Sequence, residues 1–486
     1  MKKGVLSLVT ALIVLCSITI FASAAGTEPD ITVQLNGQDL EFTDAKPQVK
    51  DNRTFLPYRA VFEAMGAEVD YENNMVTARR GDTELSMTIG DTTATVTRGD
   101  TTDTLTMDVA PYVDNATWRT YVPVRFAADA FGCSVGWNQD TMTVTIVDIG
   151  AMVDKALAGK EFTLLEKYME YSEKYNVGAW AANGSMDASV SLLGSETLPL
   201  FTGTVEGIVS GNAAGEMSIS MDMNLGPLMS CIAYLTDTTL ADMDVTEDDL
   251  RMDMVMNMKL DMDAGTMYLQ MDDAMNAALG LPTGTWMSMD MNAIPVESGM
   301  EEEYNALLTQ VESMNPVELL NTLLADVSLD EQAFTSLADT LDTAITALSD
   351  KGFQKTSNGY ETSLTLSAKG MECVFAMALT TTNADEVTGY SMDVSVILPL
   401  DEELKATLAE SGLTADQISM NISTSVDKND QMQAVFQISM APLFAMDINM
   451  EMNYTATTQT PDTALPANAT VVDYMALMAS IAATQE

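Results

Sequence analysis

The 486-residue chain has 71 acidic and only 22 basic residues, for a net charge of −49, and it contains no histidine. The negative field repels phosphate backbones, so we expect no nucleic-acid partner. Without histidine, Ser-His-Asp catalysis, Cys-His catalysis and most zinc sites are excluded. The sequence also has no glycine-rich phosphate loop. We therefore expect no enzyme, no cofactor and no metal.

The first 24 residues have the pattern of a signal peptide. Lys2 and Lys3 precede an apolar run over residues 5–21 that ends in ASA, residues 22–24, which signal peptidase recognises. No later stretch approaches the roughly eighteen uninterrupted apolar residues of a membrane span. We therefore expect a protein that is secreted, stays extracellular or associated with the cell wall, and does not span the membrane.

The cysteines of the mature chain are Cys133, Cys231 and Cys373. An odd number of widely spaced cysteines predicts neither a disulfide framework nor a CxxC metal site. The sequence leaves two interpretations, a single bridge between Cys231 and Cys373 or three small buried thiols, of which the second is favoured.

Residues 31–148 contain an internal repeat. The stretch FLPYRAVFEAMGAEVDYENN, from Phe55, returns as YVPVRFAADAFGCSVGWNQD, from Tyr121. Each copy predicts a helix followed by a strand, because proline suits the first helical turn and glycine suits the left-handed residue just past a helix end. The motif positions with an expected structural role are Pro57, Arg59, Gly66, Pro123, Arg125, Gly132 and Trp137.

Apolar residues at helical spacing predict one buried face on each repeat helix. They are Tyr58, Val61, Phe62 and Met65 in the first copy, and Val124, Ala127, Ala128 and Phe131 in the second. Arg59 and Arg125 each precede an acidic residue by four positions, Glu63 and Asp129, so intrahelical ion pairs are a sufficient explanation of both arginines. Ahead of the first helix, ITVQLNGQDLEF predicts a β-hairpin with Asn36-Gly37 at its turn.

The paired P-x-R…G motifs, each with an aromatic residue five positions after its glycine, resemble the copper amine oxidase N-terminal domain, also called the stalk domain. The resemblance covers residues 29–149 and implies a small α+β module on the cell surface, frequent in exported proteins of Gram-positive bacteria. Oxidase chemistry does not follow, because the copper-binding histidines are missing. Exposed aromatics such as Trp118 and Trp137 offer a role in binding a cell-wall polymer, although Trp137 is favoured as a core residue.

Residues 150–177 have apolar residues at helical spacing and predict a helical connector. Over residues 178–482, period-two runs predict strands, interrupted by a helical insertion at 298–350 and closed by a helical tail, TVVDYMALMASIAA. This order, with the segment DMDAGTMYLQMDDAMN…TGTWMSMD, resembles the LolA and LppX-like lipoprotein-carrier superfamily. The resemblance implies a curved antiparallel half-barrel whose concave face holds an acyl chain or another hydrophobic molecule. The expected fold class of the whole chain is α+β.

The segment RMDMVMNMKLDMD, residues 251–263, has methionine at alternate positions. Three interpretations are a copper(I) site, the wall of an apolar pocket and the inside of a β-sheet. Methionine exchanges with leucine and isoleucine in this and other strands, as an apolar face requires, whereas copper needs a few converging sulfurs. An apolar face is therefore favoured. The predicted ligand-facing residues are Met252, Met254, Met256, Met258, Leu260, Met262, Met289 and Met450.

Two hypotheses about function follow. The first is a non-enzymatic cell-envelope protein in which the stalk domain engages a cell-wall polymer and the half-barrel binds a lipid or another hydrophobic ligand. The alternative is a structural or adhesive cell-wall protein with no small ligand. A carrier predicts bound lipid and a cavity on the order of several hundred cubic ångströms, whereas a structural protein predicts a filled core.

Overall fold

The computed structural model describes residues 31–477, apart from residues 51–52, 100, 139–140, 195, 212, 236–237, 240–245, 247–249, 263, 292–330, 369 and 411. The chain divides into an N-terminal unit, Met1–Lys160 with Ser313–Thr346, and a C-terminal unit, Glu161–Glu312 with Ala347–Glu486. The predicted signal peptide and residues 298–330 of the predicted helical insertion lie outside the described residues.

The N-terminal unit consists of three small sheets with short helices. The sheets have the strand orders β12-β13-β1-β2, β10-β11-β4-β3 and β5-β6-β7-β8-β9. The strands are β1 (Thr32–Leu35), β2 (Gln38–Asp39), β3 (Gln48–Lys50), β4 (Arg53–Pro57), β5 (Glu68–Glu72), β6 (Met75–Arg80), β7 (Thr83–Thr88), β8 (Thr93–Arg98), β9 (Thr101–Thr106), β10 (Tyr112–Asp114), β11 (Arg119–Pro123), β12 (Ser134–Asn138) and β13 (Thr143–Val147). The helices are α1 (Tyr58–Ala64), α2 (Val124–Ala130) and α3 (Ile149–Leu157).

The two repeat copies meet along β4 and β11. These strands are antiparallel, and Leu56 pairs with Val122, its equivalent in the second copy. Antiparallel pairing about equivalent residues relates the strands by a local twofold axis. Each strand leads directly into its repeat helix, β4 into α1 and β11 into α2.

Burial in the N-terminal unit follows the helical periodicity. The predicted faces are buried at Val61 and Phe62 in α1 and at Ala128 in α2. The Phe62 and Phe131 rings meet edge to face with centroids 5.6 Å apart. Gly66 has a φ of +80°, which suits glycine because it has no Cβ to clash in the left-handed region. The predicted hairpin between β1 and β2 is confirmed.

The C-terminal unit is built around one 14-stranded sheet that curls into the predicted half-barrel. The strand order is β20-β21-β22-β23-β24-β25-β26-β14-β15-β16-β17-β18-β19-β27. Its strands are β14 (Ala179–Leu192), β15 (Leu198–Ser210), β16 (Ala214–Asn224), β17 (Arg251–Asp261), β18 (Thr266–Met271), β19 (Trp286–Asp290), β20 (Gln354–Lys355), β21 (Gly359–Ala368), β22 (Met371–Thr381), β23 (Val387–Pro399), β24 (Gln417–Val426), β25 (Gln431–Met440), β26 (Phe444–Ala456) and β27 (Val471–Asp473).

Neighbouring strands of this sheet are antiparallel, except that β27 runs parallel to β19. The long pairing of β14 with β26 joins the strands before the predicted insertion to those after it. The accompanying helices are α4 (Thr163–Val177), α5 (Gly226–Leu235), α6 (Asp273–Ala278), α7 (Glu331–Leu348) and α8 (Glu402–Glu410). Residues 331–346 of α7 belong to the N-terminal unit and residues 347–348 to the C-terminal unit.

The structure differs from the sequence prediction in two helical segments. The connector at 150–177 is not one helix, because Gly159 takes a φ of +68° and separates α3 from α4. In the predicted helical tail, Val471–Asp473 forms a strand beside β19, residues 474–477 are helical as predicted, and the remainder lies outside the described residues. Pairing with an available sheet edge prevails there over weak helical periodicity, which shows how tertiary context overrides a local pattern.

Two of the three cysteines can be placed. Cys133 is 4% exposed and its Sγ donates to the Phe131 carbonyl at 3.8 Å, while Cys373 is 1% exposed. Both are buried as predicted, and the Cys231 side chain lies outside the described residues.

Candidate functional sites

Strand β17 carries the methionine-rich segment. Side chains two apart on a strand share one face, and the even-numbered residues of β17 are all buried or half-buried: Met252, Met254, Met256, Met258 and Leu260. Met262 differs from the prediction. It follows the end of β17, in the turn before β18, and is 45% exposed.

Cross-strand pairing extends this face over neighbouring strands. Met254 pairs with Met221 of β16, and Met221 pairs with Gly203 of β15. Gly203 pairs with Met186 of β14, and Met186 pairs with Met450 of β26. Directly paired residues of antiparallel strands project to the same side. One row therefore connects the predicted positions Met254 and Met450.

Met289 joins the same face from the other side of β17. It pairs with Met267, and Met267 pairs with Leu260. All predicted ligand-facing residues except Met262 thus share one side of the sheet, which we call the methionine face. Its other members include Met186, Met217, Ile219, Met221, Met223, Phe375, Met377, Ile422, Ile448 and Met452.

The methionine face is covered unevenly. Towards β21 and β22, Phe375 and Met377 are 2% and 1% exposed, and the Thr362 hydroxyl donates to the Ala347 carbonyl at 2.7 Å. On β24, in contrast, Ile422 is 45% exposed. A continuous apolar surface is therefore packed at one end and partly exposed farther along.

Helix α4 places tyrosines against one end of the methionine face. The Tyr168 ring lies 5.0 Å from that of Tyr390, and the Tyr175 ring lies 5.0 Å from that of Trp180 and 6.1 Å from that of Tyr454. Such edge-on and tilted aromatic pairs contribute stability beyond their buried area. Sequence analysis missed this cluster, although the spacing in YMEYSEKY places three tyrosines on one side of a helix.

Burial changes the acidity of these tyrosines. It raises the pKa of Tyr168 to about 12, and it also raises the pKa of Tyr454. The Tyr175 hydroxyl donates to Asp430 Oδ1 at 2.6 Å, and Lys174 Nζ lies 2.5 Å from the same oxygen. Burial, followed by the hydrogen bond to Asp430, raises the pKa of Tyr175.

The opposite face of β17 is not uniformly exposed, as alternation alone would predict. Lys259 is 8% exposed, and its Nζ lies 3.2 Å from Asp462 Oδ2 and 3.6 Å from Glu216 Oε1. The Asp462 amide also donates to Glu216 Oε2 at 3.0 Å. The segment after β26 therefore lies against this side of the sheet and pairs with its charged residues.

In the N-terminal unit, the motif arginines have different surroundings. Arg59 Nη1 lies 3.2 Å from Glu63 Oε1, which confirms the intrahelical pair in α1. The side chain of Asp129, the expected partner of Arg125 in α2, lies outside the described residues. Trp137 is half-buried against the core, as predicted, whereas Trp118 is 74% exposed.

Two clefts flank the paired strands β4 and β11. The Arg59 cleft has a volume of about 750 Å³ and is lined by Asp44, Pro57, Arg59, Tyr71, Trp118 and Arg119, among others. The Arg125 cleft has a volume of about 730 Å³ and is lined by Arg53, Asp108, Pro123, Arg125, Phe126 and Trp137, among others. Equivalent repeat positions line both clefts. The Arg59 cleft combines α1 of the first copy with Arg119 of the second, and the Arg125 cleft combines α2 of the second copy with Arg53 of the first. The local twofold axis accounts for this exchange.

Among the described residues, no three histidine, cysteine, aspartate or glutamate side chains are grouped so that they could hold a metal ion. No helix in the described part of the chain is both long enough and apolar enough to cross a membrane.

The repeat geometry has a counterpart among known families. Residues 34–146 match the copper amine oxidase N-terminal domain family. This match falls within the predicted stalk domain at 29–149 and supports that assignment for the N-terminal unit. It leaves the rest of the chain unassigned.

Comparisons of the whole chain are less informative. No curated protein matches it. Among solved structures, a DUF1329 family protein from Desulfovibrio piger aligns with 65% of this chain and 95% of its own, at 11% identity and a TM-score of 0.10. A TM-score this low carries no argument about the fold of the C-terminal unit.

Proposed function

We propose that this is a non-enzymatic, exported protein of the cell envelope whose C-terminal half-barrel binds a lipid or another hydrophobic molecule on the methionine face. The N-terminal, stalk-like domain associates with the cell surface through a wall polymer. The observation that carries the proposal is a methionine face that runs across the sheet and yet leaves side chains such as Ile422 partly exposed.

The chemistry of methionine suits such a ligand. Its side chain is unbranched and polarizable, so a surface made from it adapts to apolar molecules of varied shape. Met186, Met217 and Met450 are each partly buried around Ala182 and Val205, which leaves thioether surface available next to a packed centre. Each methylene of an acyl chain that moves from water onto this surface contributes about 0.8 kcal/mol to the binding free energy.

Native mass spectrometry of the mature chain, purified from the organism that makes it, tests the proposal directly. A stoichiometric adduct that organic solvent extracts as a lipid supports it. A protein free of adducts, with no lipid in the extract, would favour the structural or adhesive alternative.

Paired substitutions locate the bound molecule. Met221→Gln places an amide on the half-buried methionine face, and Val255→Gln places the same amide on the opposite side of β17, where Val255 is 42% exposed. We expect the first variant to lose most of the copurified lipid and the second to retain it. Equal retention by two folded variants, with folding checked by circular dichroism, would place the lipid elsewhere.

The proposed association of the protein with the cell surface has a separate test. Immunoblots of wall, membrane and medium fractions from the producing cells should detect the full-length mature chain in the wall fraction. Detection in the cytoplasm alone would contradict export, whereas detection in the medium alone would contradict retention at the surface.

A further inference from the structure

The two repeat-related clefts differ in how their arginines are satisfied. In the Arg59 cleft, Arg59 pairs with Glu63 at 3.2 Å and its Nη2 donates to the Tyr58 hydroxyl at 3.3 Å. Arg119 forms an ion pair with Asp44 across the same cleft. Both guanidinium groups of the Arg59 cleft therefore already have acceptors.

In the Arg125 cleft, the two arginines differ in their described contacts. Arg53 forms an ion pair with Asp108. Arg125 is exposed, and within the described part of the chain no acceptor pairs with its guanidinium group. An exposed arginine at the edge of a cleft, with no acceptor among the described residues, is suited to bind an anion from outside the chain.

The Arg125 cleft also has the interior of a binding site. Its floor includes Met107, Phe126 and Val135, which are 4%, 7% and 7% exposed, and Trp137 lines it as well. A volume of about 730 Å³ is within the usual range for sites that bind small molecules. An apolar floor with a few polar groups at the rim is the common composition of such sites.

The described residues that line the two clefts carry different numbers of carboxylates. Among the described lining residues, the Arg125 cleft has the two guanidinium groups of Arg53 and Arg125 and the single carboxylate of Asp108. The Arg59 cleft has two guanidinium groups and three carboxylates, since Glu41 and Glu63 also line it.

We propose that the Arg125 cleft binds a sugar that bears an oxyanion, either a carboxylate or a phosphate ester. The planar fork of the Arg125 guanidinium group matches both oxyanions through paired hydrogen bonds. The ring contacts Trp137 and the apolar floor. This inference deepens the wall-polymer part of the proposed function by naming the chemistry recognised, and it is independent of the lipid on the methionine face.

The test uses three sugars that share a methyl glucopyranoside ring and differ only at C6: methyl glucuronide, methyl glucoside 6-phosphate and neutral methyl glucoside. Saturation-transfer NMR titrations with the full mature chain should detect binding of one or both charged sugars and none of the neutral one. The preferred charged sugar identifies the oxyanion. Equal binding of the neutral sugar, or no binding of either charged sugar, would overturn the proposal.

The repeat itself supplies the matched control. Arg125→Gln should weaken binding of the charged sugar by about tenfold or more, because a charge-assisted hydrogen bond is lost. Arg59→Gln changes the equivalent residue of the other cleft and should leave the affinity within about twofold. An equal loss in both variants would contradict the assignment of the site to the Arg125 cleft.

A second substitution keeps the proposal testable if Arg125→Gln fails to fold. Val49 is 52% exposed at the rim of the Arg125 cleft, so Val49→Glu adds a repelling carboxylate while Arg125 is retained. It should reduce binding as strongly as Arg125→Gln, and unchanged binding would argue against an anionic ligand here.

Sugar binding by a chain that is recovered only in the medium would refute surface association and leave the cleft assignment intact.

Discussion

Arg80 and Phe131 are joined by a 2.7 Å hydrogen bond from Nη2 to the Phe131 carbonyl. The same guanidinium group donates to the Met65 carbonyl at 3.3 Å and forms an ion pair with Asp148. Met65 and Phe131 are equivalent repeat positions, each just past the end of its helix, where backbone carbonyls lack intrahelical partners. One arginine therefore satisfies both helix ends around the local twofold axis.

Replacing Arg80 should destabilise the N-terminal unit. Arg80→Met removes the ion-pair partner of the Asp148 carboxylate, whose side chain is 10% exposed, and the guanidinium donor to the Met65 and Phe131 carbonyls. We expect the free energy of unfolding to fall by about 2–3 kcal/mol, measured by urea denaturation.

The neighbouring residue provides the control. Arg79 pairs with Glu84 at 2.6 Å, but both side chains are about half-exposed. Arg79→Gln should change the unfolding free energy by less than about 0.5 kcal/mol. If the two variants were equally stable, the bridging role of Arg80 would be refuted.

Periodicity predicted much of the sheet and of its candidate site. Alternation in β17 placed Met252, Met254 and Met256 on one face, because the side-chain period of a strand is fixed by backbone geometry. The repeat likewise predicted the faces of α1 and α2. These features are local, so a single stretch of sequence contains the information that they need.

Contacts between distant segments were not predictable in this way. Nothing in the sequence near Lys259 indicates that Asp462 covers it, and nothing near Arg80 indicates the Phe131 carbonyl. The two clefts were missed for the same reason, since each combines residues from both repeat copies. A local pattern specifies the side of an element on which a residue lies, but it does not specify which distant segment meets it there.

A glycine on the methionine face supplies a second test of packing. A Cβ on Gly184 would lie 1.9 Å from the Glu451 carbonyl oxygen and 2.6 Å from Met452 Sδ. Because the nearest obstacle is backbone of the paired strand, Gly184→Ala should lower the unfolding free energy of the C-terminal unit by about 1–3 kcal/mol. Thermal denaturation followed by circular dichroism would measure this loss.

Gly215 is the matched control for Gly184. It lies in the same sheet, and its added Cβ would meet Leu260 Cβ at 3.6 Å, an ordinary contact distance. Gly215→Ala should therefore leave stability within about 0.5 kcal/mol of the parent protein. A parent-like melting curve for Gly184→Ala would show that β14 and β26 separate more easily than their pairing implies.

The buried Tyr168 predicts a loss of stability in alkali. Burial raises the pKa of Tyr168 from 10.0 to about 12 in the folded protein. Below pH 10 both states keep the phenolic proton. Between pH 10 and pH 12 the unfolded chain loses this proton while the folded protein retains it, so stability falls as the pH rises.

Urea denaturation at intervals from pH 9 to pH 11.5 would measure that fall. Tyr168→Phe removes the titrating group and keeps the ring that packs against Tyr390, so its stability should decline less steeply over the same range. An identical slope in the variant and the parent protein would show that Tyr168 ionises equally in both states.

The Lys259 contacts predict that one side chain holds the segment after β26 in place. Lys259→Ala removes the donor to the Asp462 carbonyl and the ion pairs with Asp462 and Glu216. We expect faster amide hydrogen exchange at residues 459–464 and a loss of about 1–3 kcal/mol in unfolding free energy.

Lys405→Ala is the control, because the side chain of its partner Glu402 is 91% exposed and such ion pairs contribute little to stability. If exchange at residues 459–464 stayed unchanged in Lys259→Ala, the segment would be held by its other contacts, such as the hydrogen bond from the Asp462 amide to Glu216.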